Sequence, residues 1–263
     1  MAERCAWLIG VGNVDAVAQM TAAQLRPYGL TVKGQKWPQG EKQAWLASAQ
    51  QAAGEGAHLI LVVASIEDYQ APQFRRELAL FRLFLQTLVK SPVSGLVILT
   101  DPSKASQAKS ELPGTALLGD FEIVDGAAWQ AKAVARLHAP RKPKWPVRLG
   151  LFAQEKLGVW LEVKPQPDQT TTGCLVGVSG DASDISFHAV GPAGRLPEKS
   201  VNEYEMKGIE FDTAGQSFKA WALQNTFGPD DAYYVRLEGE PDILAIGTLP
   251  NGEMSDVDLF CLR

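Results

Sequence analysis

Hydrophobic and polar positions follow two different rhythms along this chain, and the change falls near residues 139–146. In the first half, short apolar runs alternate with stretches of helical spacing. Residues 6–11 form one such run. Val14, Val17, Ala18, Thr21 and Leu25 then recur every three or four positions, so the pattern predicts a strand followed by a helix. Residues 30–33 predict a second strand, and residues 41–55 an alanine- and glutamine-rich helix stopped by Gly54 and Gly56. Residues 59–64 are unbroken aliphatic, as suits a central parallel strand covered on both faces. Phe74, Leu78, Phe81, Leu85 and Leu88 place a long helix over residues 74–89. Residues 96–99 and 121–124 predict the fourth and fifth strands, and residues 127–138 the closing helix. Parallel strands need right-handed helical crossovers. The expected fold of residues 1–138 is therefore α/β, a five-stranded doubly wound parallel sheet of flavodoxin-like type.

From residue 147 the pattern becomes strand-like, with runs at residues 147–152, 159–163, 174–178, 185–190, 232–237, 243–246 and 257–262. Clusters of Gly, Pro, Asp and Thr separate them. The spacing of Phe218, Trp221 and Ala222 predicts a helix over residues 216–224, and residues 200–207 a shorter one. The expectation is a mostly-β (α+β) domain over residues 147–263. Residues 257–262 alternate in a way that covers both faces of a last strand. Between the halves, Pro140, Arg141, Lys142, Pro143, Lys144 and Pro146 make residues 139–146 a stiff connector, because each proline fixes its own φ and pushes its predecessor out of helical space.

Composition narrows the function classes. With 263 residues, 46% hydrophobic and 21% charged, the chain can build two cores. A formal charge of -5 argues against sequence-independent binding to a phosphate backbone. The basic cluster Arg141, Lys142 and Lys144 reads as a solvated linker, so no nucleic acid partner is expected. Cys5, Cys174 and Cys261 are odd in number and far apart, which suits a reducing compartment. No apolar stretch reaches the ~20 residues that cross a bilayer. The expected location is cytoplasmic, without a membrane partner.

In open parallel sheets, ligands sit at the carboxyl ends of the strands. After the first strand, Gly10, Val11, Gly12 and Asn13 begin like a dinucleotide fingerprint, but Asp15 stands where the third glycine belongs. Its charge would face a pyrophosphate at the helix N-terminus. The favoured reading is a turn glycine with Asn13 or Asp15 capping the helix; cofactor binding by Gly10, Gly12 and Asn13 is the alternative. The third strand ends in Ala64 and Ser65, where a phosphoreceiver would carry an aspartate.

The order of Leu25, Gly29-Leu30-Thr31-Val32, Gly40-Glu41, the strand ending at Ser65, and Phe74-Arg75-Arg76-Glu77-Leu78 resembles a Toll/interleukin-1 receptor (TIR) domain. In that family a serine closing one strand is followed, twelve positions later, by a helix glutamate, a separation that Ser65 and Glu77 keep. The resemblance implies a TIR-like fold for residues 1–138. In the family's NAD-cleaving members it implies that Glu77 is the catalytic carboxylate, with NAD as substrate. A carboxylate beside an oxocarbenium-like transition state is sound chemistry. The first strand departs from the family, carrying Trp7-Leu8-Ile9-Gly10-Val11-Gly12 in place of an aromatic and serine followed by acidic residues.

In the second half, Asp184, Ser186 and His188 fall on one face of a predicted strand, too far apart along it for direct relay bonds. Gly177-Val178-Ser179-Gly180 lacks the strand-to-helix continuation of a nucleophile elbow and reads as a turn. The segment 247–258 resembles the metal-binding turn of JAB-type isopeptidases, and Thr172-Gly173-Cys174-Leu175-Val176-Gly177 that family's early strand. Only Pro250, Ser255 and Asp258 match, and both histidines of the family's turn are missing. This resemblance implies a metal-free relative, since a zinc site needs about three suitable protein ligands. His58, His138 and His188 are dispersed.

Seven tryptophans, among them Trp37, Trp45, Trp129, Trp160 and Trp221, outnumber the candidate catalytic groups. The leading expectation is a non-catalytic interaction or scaffold protein of a cytoplasmic multicomponent system, without cofactor, that binds a protein partner or itself. The alternative is an NAD-cleaving nucleotide glycosidase using Glu77 near Ser65.

Overall fold

The computed structural model describes residues 5–38, 40, 43–89, 93–110, 121–124, 129–138, 147–154, 156–248 and 257–262. The chain divides into two compact units, Met1–Lys142 and Pro143–Arg263. The predicted connector at residues 139–146 lies outside the described residues.

In the first unit, β1 (Cys5–Gly10), α1 (Asp15–Leu25), β2 (Thr31–Lys36), α2 (Ala44–Gly54), β3 (Ala57–Ala64), α3 (Ile66–Gln70), α4 (Pro72–Leu88), β4 (Ser94–Leu99), α5 (Ala105–Ser110), β5 (Phe121–Val124) and α6 (Trp129–His138) follow in order. The five strands form one parallel sheet in the order β2-β1-β3-β4-β5. This is the expected doubly wound α/β architecture, with a flavodoxin-like strand order. The aliphatic run of β3 is central: Leu59 through Ala64 are all fully buried. On one face, Leu8, Leu59, Leu61, Val63 and Leu96 pack against Val14 and Leu25 from the α1 side and Trp129, Ala133 and Leu137 of α6. Elsewhere, α2 packs on α4 through an edge-on pair of Trp45 and Phe84, their centroids 5.8 Å apart. Each such large apolar side chain contributes roughly 1.5–3 kcal/mol when fully buried.

Among the described residues of the second unit the regular elements are strands: β6 (Val147–Gln154), β7 (Gly158–Pro165), β8 (Thr171–Ser179), β9 (Asp184–Pro192), β10 (Met206–Thr213), β11 (Gln216–Phe227), β12 (Asp231–Glu238), β13 (Ile243–Gly247) and β14 (Asp258–Cys261). They form two antiparallel sheets, β10-β11-β8-β13-β14 and β6-β7-β12-β9, which meet where β9 packs on β8 and β11. The unit is thus mostly β, as expected.

The two helices predicted here are not formed. Residues 216–224 lie within strand β11, and β10 begins at Met206. Phe218, Trp221 and Ala222 do fit a helical spacing, but Phe218, Ala220 and Ala222 also alternate, and it is these three that are buried. A two-residue turn decides the matter. Ala214 and Gly215 have φ values of 50 and 74, the left-handed pair that matches the twist of a β-hairpin. The last strand, β14, lies at a sheet margin. Phe260 and Leu262 are buried while Leu259 and Cys261 are half-buried, so one of its faces is covered and the other only in part.

Candidate functional site at the carboxyl edge of the parallel sheet

β1, β2, β3 and β4 end at Gly10, Lys36, Ala64 and Leu99, and the parallel pairing brings the segments after them to one edge. Backbone bonds join these segments. Val11 N donates to Val63 O at 2.9 Å, Trp37 N to Gly10 O at 2.7 Å and Thr100 N to Ala64 O at 2.9 Å.

The glycine turn after β1 is closed by an acid. Gly12 has a φ of 73, and a Cβ built there would lie 2.5 Å from Asp68 Oδ2. Only glycine fits the conformation and the close approach together. Asp68 is held in turn by Ser65, whose Oγ accepts from the Asp68 backbone N–H at 3.0 Å and bonds Asp68 Oδ2 at 3.0 Å. Ser65 is therefore the N-cap of α3. The expected cap on α1 is absent. The N-cap position is Val14, no side chain bonds there, and Asp15 sits in the first helical turn, 4.0 Å from Lys36. Its carboxylate complements the helix dipole instead.

Glu77 lies on α4, half-buried. Its Oε2 accepts from Trp37 Nε1 at 2.9 Å and its Oε1 from Gln73 Nε2 at 3.0 Å. Trp37 follows β2, is buried, and stands edge-on to Phe74 at 5.4 Å and Phe81 at 5.9 Å. A rigid aromatic cluster thus fixes the carboxylate. Ser65 and Glu77 bond to separate partners, so they are not joined in one hydrogen-bonded set. On the far side of the edge, Lys104 Nζ meets Glu67 Oε1 at 2.9 Å, and Asp101 Oδ1 accepts from Ser103 Oγ at 2.6 Å. The Lys104 bond holds the Glu67 carboxyl below its ordinary range and raises the lysine, and the Ser103 hydroxyl lowers Asp101.

The second unit carries two buried polar clusters. Glu162 of β7 is fully buried, and its Oε1 accepts from Gly194 N at 2.7 Å and Tyr234 Oη at 2.9 Å. Its Oε2 meets Lys164 Nζ at 2.7 Å. In the other cluster, the His188 ring bonds Tyr233 Oη at 2.8 Å through Nδ1 and Glu205 Oε2 at 3.0 Å through Nε2. A neutral ring with Nε2–H donating to Glu205 and Nδ1 accepting from the tyrosine satisfies all three groups. Burial lowers the His188 pKa and raises that of Tyr233. Bonds from Asn202, Lys207 and His188 hold Glu205 down to about 2.

Both clusters bind the segment between β9 and β10. His188 is 2% exposed and Tyr233 0%, so the ring and the phenol are closed off, while Glu205 at the other end of the relay is exposed. The predicted common face of Asp184, Ser186 and His188 is corrected by a bulge. Arg236 pairs with Phe187 and Leu237 with Ile185, so Ser186 is skipped and turns to solvent, where it donates to Glu238 at 2.7 Å. Asp184 pairs with Lys219 at 3.1 Å. Ser179 is buried at the end of β8, ahead of a turn, and its carbonyl accepts from Asp242 N. Pro250 and Ser255 lie outside the described residues, and Asp258 is half-buried in β14. Among the described residues no three His, Cys, Asp or Glu side chains are grouped to hold a metal, and no helix is long and apolar enough to cross a membrane.

Of the tryptophans, Trp37, Trp45 and Trp129 are core residues, and Trp160 and Trp221 are half-buried. Trp160 stands edge-on to Phe187 at 5.6 Å, beside Leu157, whose carbonyl accepts from its indole. Leu157 and Phe187 are 45% and 43% exposed.

Sequence reasoning missed Trp37 and Asp68. The Ser65-x-x-Asp68 spacing is a recognisable helix-start signature, whereas nothing local points from Trp37 to a glutamate forty positions away. No protein-family model matches the chain, and no curated protein matches it in sequence. The reading of function therefore rests on the site itself.

Proposed function

We propose that the chain is a non-catalytic interaction protein, binding a protein partner or a second copy of itself. The observation that carries this reading is the state of the carboxyl edge. Gly12, the glycine a pyrophosphate would need to approach, is faced by the Asp68 carboxylate. A dinucleotide phosphate there would meet like charge at close range. Ser65 caps α3 and Glu77 is doubly bonded to Trp37 and Gln73, so the candidate catalytic groups serve internal contacts. The apolar group of exposed Leu157 and Phe187 with half-buried Trp160, and Arg236 close by on β12, supports the interaction part of the reading, because Trp and Arg anchor protein interfaces more than other residues do.

A second reading has one observation in its favour. Glu77 is a half-buried carboxylate fixed by an indole at the strand ends, as a TIR-like NAD glycohydrolase would require. Incubating the full chain with NAD across a range of protein concentrations separates the two. Release of no nicotinamide at any concentration is the expected result. Release that disappears in Glu77→Gln would establish the enzyme and overturn the proposal. Sedimentation of wild type against a Trp160→Ala/Phe187→Ala variant tests self-association.

A further inference from the structure

Arg75 is the most unusual charged residue of the first unit. It lies in the first turns of α4 and is 5% exposed. Its guanidinium carbon lies 5.6 Å from the centre of the Tyr69 ring. Among the described residues, Nη1 has no hydrogen-bond partner and no carboxylate forms an ion pair with the side chain. Buried arginines ordinarily carry a carboxylate or several carbonyls, because an unpaired charge out of water is strongly unfavourable. The lysines at this edge, Lys104 and Lys36, are by contrast exposed, and lie 2.9 Å and 4.0 Å from Glu67 and Asp15.

The place of Arg75 makes its missing partner informative. α4 follows β3 through the short α3, so its N-terminus lies at the carboxyl edge of the sheet, where doubly wound folds take ligands. That N-terminus is uncapped: the N-cap residue is Ala71, no side chain bonds there, and Pro72 supplies no N–H. Helical side chains lean back toward the N-terminus of their own helix. The contact with Tyr69, which precedes α4, shows that Arg75 does so. A fixed guanidinium and the positive end of a seventeen-residue helix therefore converge on one spot. The tyrosine contact uses the charge of the guanidinium and leaves the N–H donors of Nη1 available.

We infer that Arg75 and the N-terminal turn of α4 form a binding site for a small oxyanion, a carboxylate or a phosphate, received by the planar fork of the guanidinium. An arginine suits this task better than a lysine because its donors match both oxyanions two at a time. The site is separate from Glu77, whose bonds go to Trp37 and Gln73, and it does not depend on whether the chain cleaves NAD.

Thermal unfolding of the full chain in sodium phosphate and in sodium formate, each against sodium chloride at matched ionic strength, tests the site. A rise in midpoint with either anion that sets in at ~0.1–1 mM and then grows with the logarithm of concentration is expected, and the anion that acts at the lower concentration identifies the ligand class. The rise should vanish in Arg75→Met, weaken by about tenfold in Arg75→Lys and persist in Lys104→Met. Should Arg75→Met fail to fold, the Arg75 side-chain N–H resonances of wild type serve instead, and they should shift to a plateau with half the change at ~0.1–1 mM. Absence of any rise over the chloride control at up to ~20 mM of either anion, or a rise that survives in Arg75→Met, would overturn the assignment.

Discussion

The two units place their polar groups in opposite ways. In the parallel α/β unit, ionisable side chains gather at the edge where the strands end; Glu77 and Glu67 each find a partner from a neighbouring segment of that edge, and Asp68 bonds Ser65 at the start of its own helix. In the antiparallel unit, polar chains stand inside or between sheets, and Glu162, His188, Tyr233 and Tyr234 tie down one long connection. The lesson concerns topology. A parallel sheet delivers its loops to one side and needs no buried acid to arrange them, whereas a sandwich with a long excursion between β9 and β10 must hold it from within.

That contrast predicts a hierarchy of stability effects. Glu162→Ala should be the most damaging, because it strands Lys164 and the Gly194 N–H. Breaking a buried pair in this way costs roughly 3–5 kcal/mol, readable as a fall in the denaturant midpoint of the full chain. An equal loss from Glu77→Ala would erase the distinction between the units. Gly12→Ala comes next. A left-handed non-glycine residue costs about 1–2 kcal/mol, and the added methyl must also displace Asp68. Combining it with Asp68→Ala should recover part of the loss, and strict additivity would show that the contact is unimportant.

Acid should act on the second unit before the first. The His188 pKa is depressed by burial, so its contribution is complete above the unfolded value of about 6.5 and is lost as pH falls below it. The Glu205 carboxyl is held at about 2, so its contribution is present above its ordinary value of 4.5 and declines between there and 2. Urea midpoints measured downward from pH 7.5 should therefore drop in two stages, and His188→Gln should remove the upper one. A flat profile in wild type would mean that the relay contributes nothing. Smallest of all is Lys104→Met, which removes an exposed pair and should leave the midpoint unchanged within error.

Much of the first unit could be read from the chain because its signals are local and repeated. The aliphatic run of β3 and the helical spacing of α4 each admit one interpretation. The second unit was harder where two periods overlap: Phe218 serves both the spacing Phe218-Trp221-Ala222 and the alternation Phe218-Ala220-Ala222. Its decisive turn uses Ala214 in a left-handed conformation, for which alanine gives no warning. At the site, the positions of Ser65 and Glu77 after their strands were legible, but their partners were not. Trp37 reaches Glu77 only through the folded packing of α4 against the end of β2. The isolation of Arg75 is a property of its three-dimensional surroundings and leaves no trace in a string of letters.

The connection between β9 and β10 is fastened near both ends, by Glu162 at Gly194 and Tyr234 at Arg195, and by Asn225 and His188 at Glu203 and Glu205. Its exposed midpoint at Glu198 and Lys199 is thereby insulated from the cores on either side. A fluorophore or short epitope grafted between those two residues should ride on the molecule as a passenger, reporting on its encounters without altering how it folds.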